Sequence, residues 1–318
     1  MPNKGFFTQG AVILFESLPA LDALESALSE FEIRGRRDAS DEWAMSGPSL
    51  LLPYRPDANG AVAVDVVSRA WPDHMGDPEN EAMLFGAWSM GHFGPGAFPG
   101  GLQRAVQNCW HWEGAPAVAQ RHTSFVRIRT SYAFGAGPDD PVIPPEYDPL
   151  AELLFSTAVS RAVLNTPGAL CYFNPNGEML HSAEAIDRGL GEHRETGTVP
   201  QDLWCNVRML RLADHEPWML MDTVGMDQLD RVDHEAIFTD AYDPSHVAGF
   251  LRSVADYILQ RGPVIRDGHT ASGPGDVDWQ ARNFSEPIYQ PPRDVMRWLP
   301  LDGVEPPGAL VGDAETVH

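Results

Sequence analysis

Apolar positions along the chain fall into short continuous runs and helical stripes. Ala11 to Phe15 is an unbroken apolar run, the pattern of a buried strand. Leu21, Leu24, Leu28 and Phe31 follow at three- and four-residue spacings, which predicts a helix with one apolar stripe. Trp43 to Leu52 and Ala61 to Val67 read as strands on either side of the turn-forming stretch Arg55 to Gly60. From Trp71 to Gly101 the pattern breaks. Pro72, Pro78, Pro95 and Pro99 interrupt it, while Trp88, Phe93 and Phe98 supply apolar anchors, so an ordered irregular segment is expected.

The second part of the chain is more regular. Thr123 to Thr130 alternates as a strand does, with arginines between Phe125 and Ile128. A proline-rich loop, Gly137 to Tyr147, precedes Asp148-Pro149, a good start for the apolar helix that runs from Leu150 to about Asn165. Ala169 to Phe173 reads as a buried strand and Ser182 to Leu190 as a short helix. Leu203 to Leu212 and Pro217 to Val224 predict an antiparallel pair across Asp214-His215-Glu216. Asp243-Pro244 opens a helix over Ser245 to Arg261 that Gly262 ends, and Val264-Ile265 follows as a short strand.

These elements predict an α+β fold with mixed or mainly antiparallel sheets and helices packed on one face. Two related α+β subdomains are expected, over residues 1–118 and 119–300. The tail, 301–318, has four acids and no Lys or Arg and is expected to fray.

Charge changes the picture more than size does. The 318 residues carry 45 Asp+Glu against 22 Lys+Arg, a net charge of −23, and Lys4 is the sole lysine. Nucleic acid and anionic membrane are therefore not expected as partners, because both repel such a chain at long range. Residues 119–318 hold 30 of the acids and 15 of the bases. The densest stretch lies between Asp222 and Asp243: Asp222, Asp227, Asp230, Asp233, Glu235, Asp240 and Asp243, seven carboxylates in 22 residues. It reads either as a solvated loop or as a recognition patch that steers a basic partner, with Met226, Phe238 and Tyr242 as apolar anchors.

Catalytic patterns are weaker. Ala87-Trp88-Ser89-Met90-Gly91, next to His92, is the nearest match to a nucleophile elbow. His111 and His122 flank an Ala/Pro turn, but no helical His pair of a zinc hydrolase occurs. Cys109 sits beside His111, whereas Cys171 and Cys205 lie in apolar strands, and no Cys-x-x-Cys pair occurs. No metal and no cofactor are expected. Neither a signal peptide nor a spanning segment is visible, so a cytoplasmic protein is expected.

Several segments, in order, resemble domain-of-unknown-function family 4261, an uncharacterised and mostly bacterial family. They are His122 to Val126 with Trp110 upstream, Gly168 to Phe173, Leu203 to Arg208, Asp222 to Met226, and Asp267-Gly268-His269-Thr270 with Trp279 after it. Phe173 and His269 stand where the family usually has Trp and an acid. The resemblance spans roughly residues 108–300. It implies an α+β fold and an association with bacterial accessory genes near secretion systems and toxins. With the acidity, it leads to a non-enzymatic acidic binding protein, most concretely an immunity-type protein that occludes a cognate toxin. The alternatives are an adaptor that loads an effector onto a secretion system, and a hydrolase with a Ser or His/carboxylate site.

Overall fold

A computed structural model describes residues 4–134, 136–137 and 141–311. Part of the expected proline-rich loop (138–140) and of the expected tail (312–318) lie outside the described residues. The chain divides into two compact units, Met1–Trp204 and Cys205–His318.

The first unit contains β1 (Gln9–Phe15), α1 (Leu21–Ala27), β2 (Gly35–Arg37), β3 (Ser49–Pro53), β4 (Ala61–Val67), α2 (Ala82–Ser89), α3 (Gly101–Gln107), α4 (Ala115–Ala119), β5 (Ser124–Ser131), α5 (Pro149–Val163), β6 (Ala169–Asn174), β7 (Met179–His181) and α6 (Ala183–Thr196). Its seven strands form one antiparallel sheet in the order β2-β3-β4-β5-β1-β6-β7. β1 is central and buried throughout, which is why its sequence is apolar without alternation. Its Ala11, Ile13 and Phe15 pack with α1, α5 and α6 residues such as Leu24, Val159 and Ile186. Its Val12 and Leu14 face the opposite way, into a cluster with Trp71, Trp88, Phe93 and Leu102. Helices therefore cover both faces of this sheet, where one covered face was expected. The segment 71–101, expected to be irregular, contains the helix α2 and gives Trp71, Leu84, Trp88 and Phe93 to that second layer.

The expected division at 118/119 does not separate the units. β5 lies just beyond it, yet pairs with both β4 and β1 in the middle of the first sheet. Long-range antiparallel pairing of this kind leaves no mark in local sequence pattern.

The second unit contains β8 (Asn206–Arg211), β9 (Trp218–Val224), β10 (Asp233–Thr239), α7 (Pro244–Arg261), β11 (Thr270–Ser272), β12 (Asp278–Phe284), β13 (Val295–Pro300) and α8 (Gly308–Val311). Its six strands run in the order β11-β12-β13-β10-β9-β8, with β10 and β13 parallel and the other pairs antiparallel. The two sheets and the helices make the α+β fold.

Asp243 caps α7 by accepting from the Ser245 amide at 2.8 Å, Pro244 takes the first helical position, and Gly262 ends the helix at φ 81°. Val247, Leu251, Val254 and Ile258 form its buried stripe. Val247, Leu251 and Val254 pack with Phe238, Trp279 and Trp298, and such side chains contribute about 1.5–3 kcal/mol each.

Val264-Ile265 forms no strand, and β10 to β13 were not foreseen as strands. Nor is the expected fraying general across the described part of the tail, because α8 buries Leu310 against Trp218, Leu220 and Ile237. Among the described residues no helix is long and apolar enough to cross a membrane.

Candidate functional site

The acidic run is not a loop. It starts on β9, passes through an eight-residue turn that holds a short 3-10 helix (Met226–Leu229), returns as β10 and reaches the cap of α7. Gly225 opens that turn at φ 115°, a conformation that side chains rarely adopt. The alternation of β10 then splits the run between the two faces of the sheet. Ala236 and Phe238 point into the core under α7, while Asp233 and Glu235 point to the other face.

On that other face a row of charge crosses four strands. Arg208 on β8 is the cross-strand partner of Asp222 on β9, Asp222 of Glu235 on β10, and Glu235 of Arg297 on β13. All four are buried. Arg208 Nε donates to Asp222 Oδ1 at 3.0 Å, and Arg297 Nε donates to Glu235 Oε2 at 2.9 Å. A third arginine arrives from the β12–β13 connection. Arg293 Nη2 donates to Asp222 Oδ2 at 2.8 Å, and its Nε lies 3.3 Å from Asp233 Oδ2. Asp233 also accepts from Thr223 Oγ1 at 2.8 Å and from the Gly225 and Met226 amides at 3.2 Å.

Three carboxylates thus meet three guanidiniums. Burial still pushes Asp233 and Glu235 above the usual carboxylate range, against the pull of Arg293 and Arg297, and the neighbouring Asp222 adds to the rise at Glu235. Two like charges stand side by side in the middle of the row, which the outer arginines must offset.

The remaining residues expected to meet a partner divide in the same way. Met226 and Phe238 are fully buried, and Tyr242 is 9% exposed with its hydroxyl donating to Asp302 Oδ2 at 2.6 Å. None of the three is an accessible anchor, because each faces the core. Asp222, Asp233 and Glu235 are closed to a partner for the reason just given. Asp227 and Asp230 are half-buried in the turn, and only Asp240 and Asp243 are exposed.

These observations converge on one segment. Residues 222–299 match the family model Domain of unknown function (DUF4261). The matched segment begins at Asp222 and ends on β13, so it contains the row's carboxylates with Arg293 and Arg297, while Arg208 precedes it. The resembling stretches 122–126, 168–173 and 203–208 lie outside the match, whereas Asp222 to Met226, Asp267 to Thr270 and Trp279 lie inside it. No curated protein and no solved structure matches the chain.

In the first unit, outside the DUF4261 segment, the catalytic candidates are used structurally. Ser89 Oγ donates to the Phe85 carbonyl one turn back at 2.9 Å. His92 instead sits with Nδ1 3.0 Å from Arg129 Nη1, and burial, then the Arg129 charge, lowers it to about 4. The ring nitrogens of His122 serve the Trp71 amide and the Ala119 carbonyl. His111 Nε2 lies 2.9 Å from the Leu180 carbonyl oxygen. Cys109 Sγ is 3.8 Å from His111 Nε2, but burial pushes its thiol up to about 11, away from thiolate chemistry. Among the described residues no group of three or more His, Cys, Asp and Glu is arranged to hold a metal ion.

A second buried charge cluster lies in the same unit. Asp65 on β4 and Arg127 on β5 are cross-strand partners, Arg127 Nη2 donating at 2.6 Å and Arg129 Nη2 to the same carboxylate at 2.8 Å. Sequence reasoning noticed arginines in this strand but not that they point inward. Arginine at alternate positions of an otherwise apolar strand, Arg127 and Arg129, was the available signal.

Proposed function

We propose that the chain is a binding protein for a partner with a basic surface, most concretely an immunity-type protein that neutralises a cognate bacterial toxin by covering it. One observation carries this reading: where the excess acid resides. Among the described residues five arginines and six carboxylates are buried, nearly in balance. The excess behind the net charge of −23 therefore belongs to the remainder, including exposed Asp214, Glu216, Asp240, Asp243, Asp302 and Glu305 of the second unit. A surface of that sign speeds the encounter with a basic protein and repels anionic competitors. The recognition role accordingly moves from the buried Asp222, Asp233 and Glu235 to exposed carboxylates such as Asp240.

The test is calorimetric titration of the full chain against the purified product of the neighbouring gene, at low and at moderate salt. Saturable binding that weakens about tenfold or more with salt supports the reading. It also predicts weaker binding of Asp214→Asn/Asp240→Asn. Absence of binding, or binding indifferent to salt and to these substitutions, contradicts it.

A further inference from the structure

We propose that residues 285–294 form a strap that opens as a unit from the charged face of the second sheet, with Arg293 as its latch. The strap begins and ends at one place, because its flanking residues Phe284 and Val295 are cross-strand partners in the β12–β13 hairpin. It is therefore a loop of Ω type, able to lift without unzipping either strand. Among the described residues no backbone-to-backbone hydrogen bond joins it to a strand. Most of its residues are exposed, and its apolar hold is small: Pro291 is buried, and half-buried Ile288 packs near Trp218 and Leu220.

What holds the strap is the charged row. The Ile288 amide donates to Glu235 Oε1 at 2.9 Å. Arg293 Nη2 donates to Asp222 Oδ2 at 2.8 Å and to the Thr223 carbonyl at 2.9 Å. The same guanidinium turns back on the strap through Nη1, which donates to the Pro291 carbonyl at 2.7 Å and the Tyr289 carbonyl at 3.2 Å. Arg293 thus fastens the strap to itself and to the sheet at once. Arg208 underlies the Tyr289 ring at 5.3 Å.

Opening leaves no carboxylate stranded. Asp222 keeps Arg208, Glu235 keeps Arg297, and Asp233 keeps Thr223 and two backbone amides. Asp233 alone gives up its counter-charge, Arg293, but it keeps three hydrogen bonds on a face that opening hydrates. Few apolar contacts and side-chain ties are the marks of a locally opening segment. Closed, the strap hides three carboxylates of the acidic run; open, it exposes them. The device stands independently of the binding role proposed above.

Native-state hydrogen exchange on the full chain tests it. The Ile288 amide is expected to exchange about 100-fold faster than the β9 and β10 amides, with little dependence on denaturant. Arg293→Gln should accelerate Ile288 about tenfold or more while β9 and β10 hold. The proposal is overturned if wild-type Ile288 shares the protection and denaturant slope of the strands. It is equally overturned if Arg293→Gln folds and either leaves Ile288 unmoved or accelerates all three together. Should that variant not fold, the wild-type comparison decides alone.

Discussion

Arg208 and Asp222 face one another on adjacent antiparallel strands, both fully buried, with Arg208 Nε donating to Asp222 Oδ1 at 3.0 Å. That contact, repeated as Arg297 with Glu235, turns an acidic stretch of sequence into part of an interior. Buried pairs add little when compared with apolar replacements, but removing one member leaves the other charged and unpaired.

The first unit tests the same principle. Burial alone would raise the Asp65 carboxyl, yet Arg127 and Arg129 outweigh it and hold Asp65 below the usual range. Its contribution is present above the unfolded value near 3.8 and is lost as pH falls through the lower folded value. Asp65→Asn, which leaves two buried guanidiniums without a counter-charge, should cost roughly 3–5 kcal/mol in urea unfolding at pH 7. A loss under about 1 kcal/mol would show that the cluster relaxes freely.

His234 gives a pH dependence of its own. Its Nδ1 accepts from the Trp298 indole N–H at 3.2 Å, and burial lowers it from 6.5 to about 4. The folded chain therefore refuses a proton that the unfolded chain accepts. The His234 contribution is complete above pH 6.5 and declines as pH falls toward 4, by about 2 kcal/mol between pH 7 and pH 5. His234→Asn keeps an acceptor for Trp298 and should flatten that decline. An unchanged slope in the variant would refute the assignment.

Asp243 illustrates an exposed acid with local work. It accepts from the Ser245 amide and hydroxyl at the start of α7. Asp243→Ala should lower the unfolding temperature and Asp243→Ser should lower it less. Equal losses, read from thermal unfolding at pH 7, would exclude the capping role.

The cysteines should be sluggish. Burial raises the thiols of Cys109 to about 11 and Cys171 to about 12. Alkylation of the native chain at pH 7 should run about 100-fold slower than that of a free cysteine, and unfolding should restore it. Fast modification of Cys109 would reopen a catalytic role beside His111.

Where local pattern decides structure, the sequence was legible. The apolar run of β1, the Asp148 and Asp243 caps, the strand over Ala61 to Val67 and the alternation of β5 all appear where the residues placed them. The strand β10 was missed because charge obscures periodicity: Asp233-His234-Glu235 reads as solvated until its arginines are placed. Those arginines stand on β13 and in the strap, 62 residues from the carboxylate in the Glu235–Arg297 pair. Such pairing is a property of sheet register, which single-sequence patterns do not contain. Cross-strand contact of β5 with β1 misled the domain boundary for the same reason.

The central claim is that the acid between Asp222 and Asp243 is divided, part built into the sheet and part left on the surface. The most direct measurement compares the urea-unfolding free energies of Asp222→Asn and Asp240→Asn at pH 7. Asp222→Asn, which uncouples Arg208 and Arg293, should lose roughly 3–5 kcal/mol, and Asp240→Asn less than about 0.5. Equal and small losses from both would contradict the account, since the whole run would then behave as solvated surface.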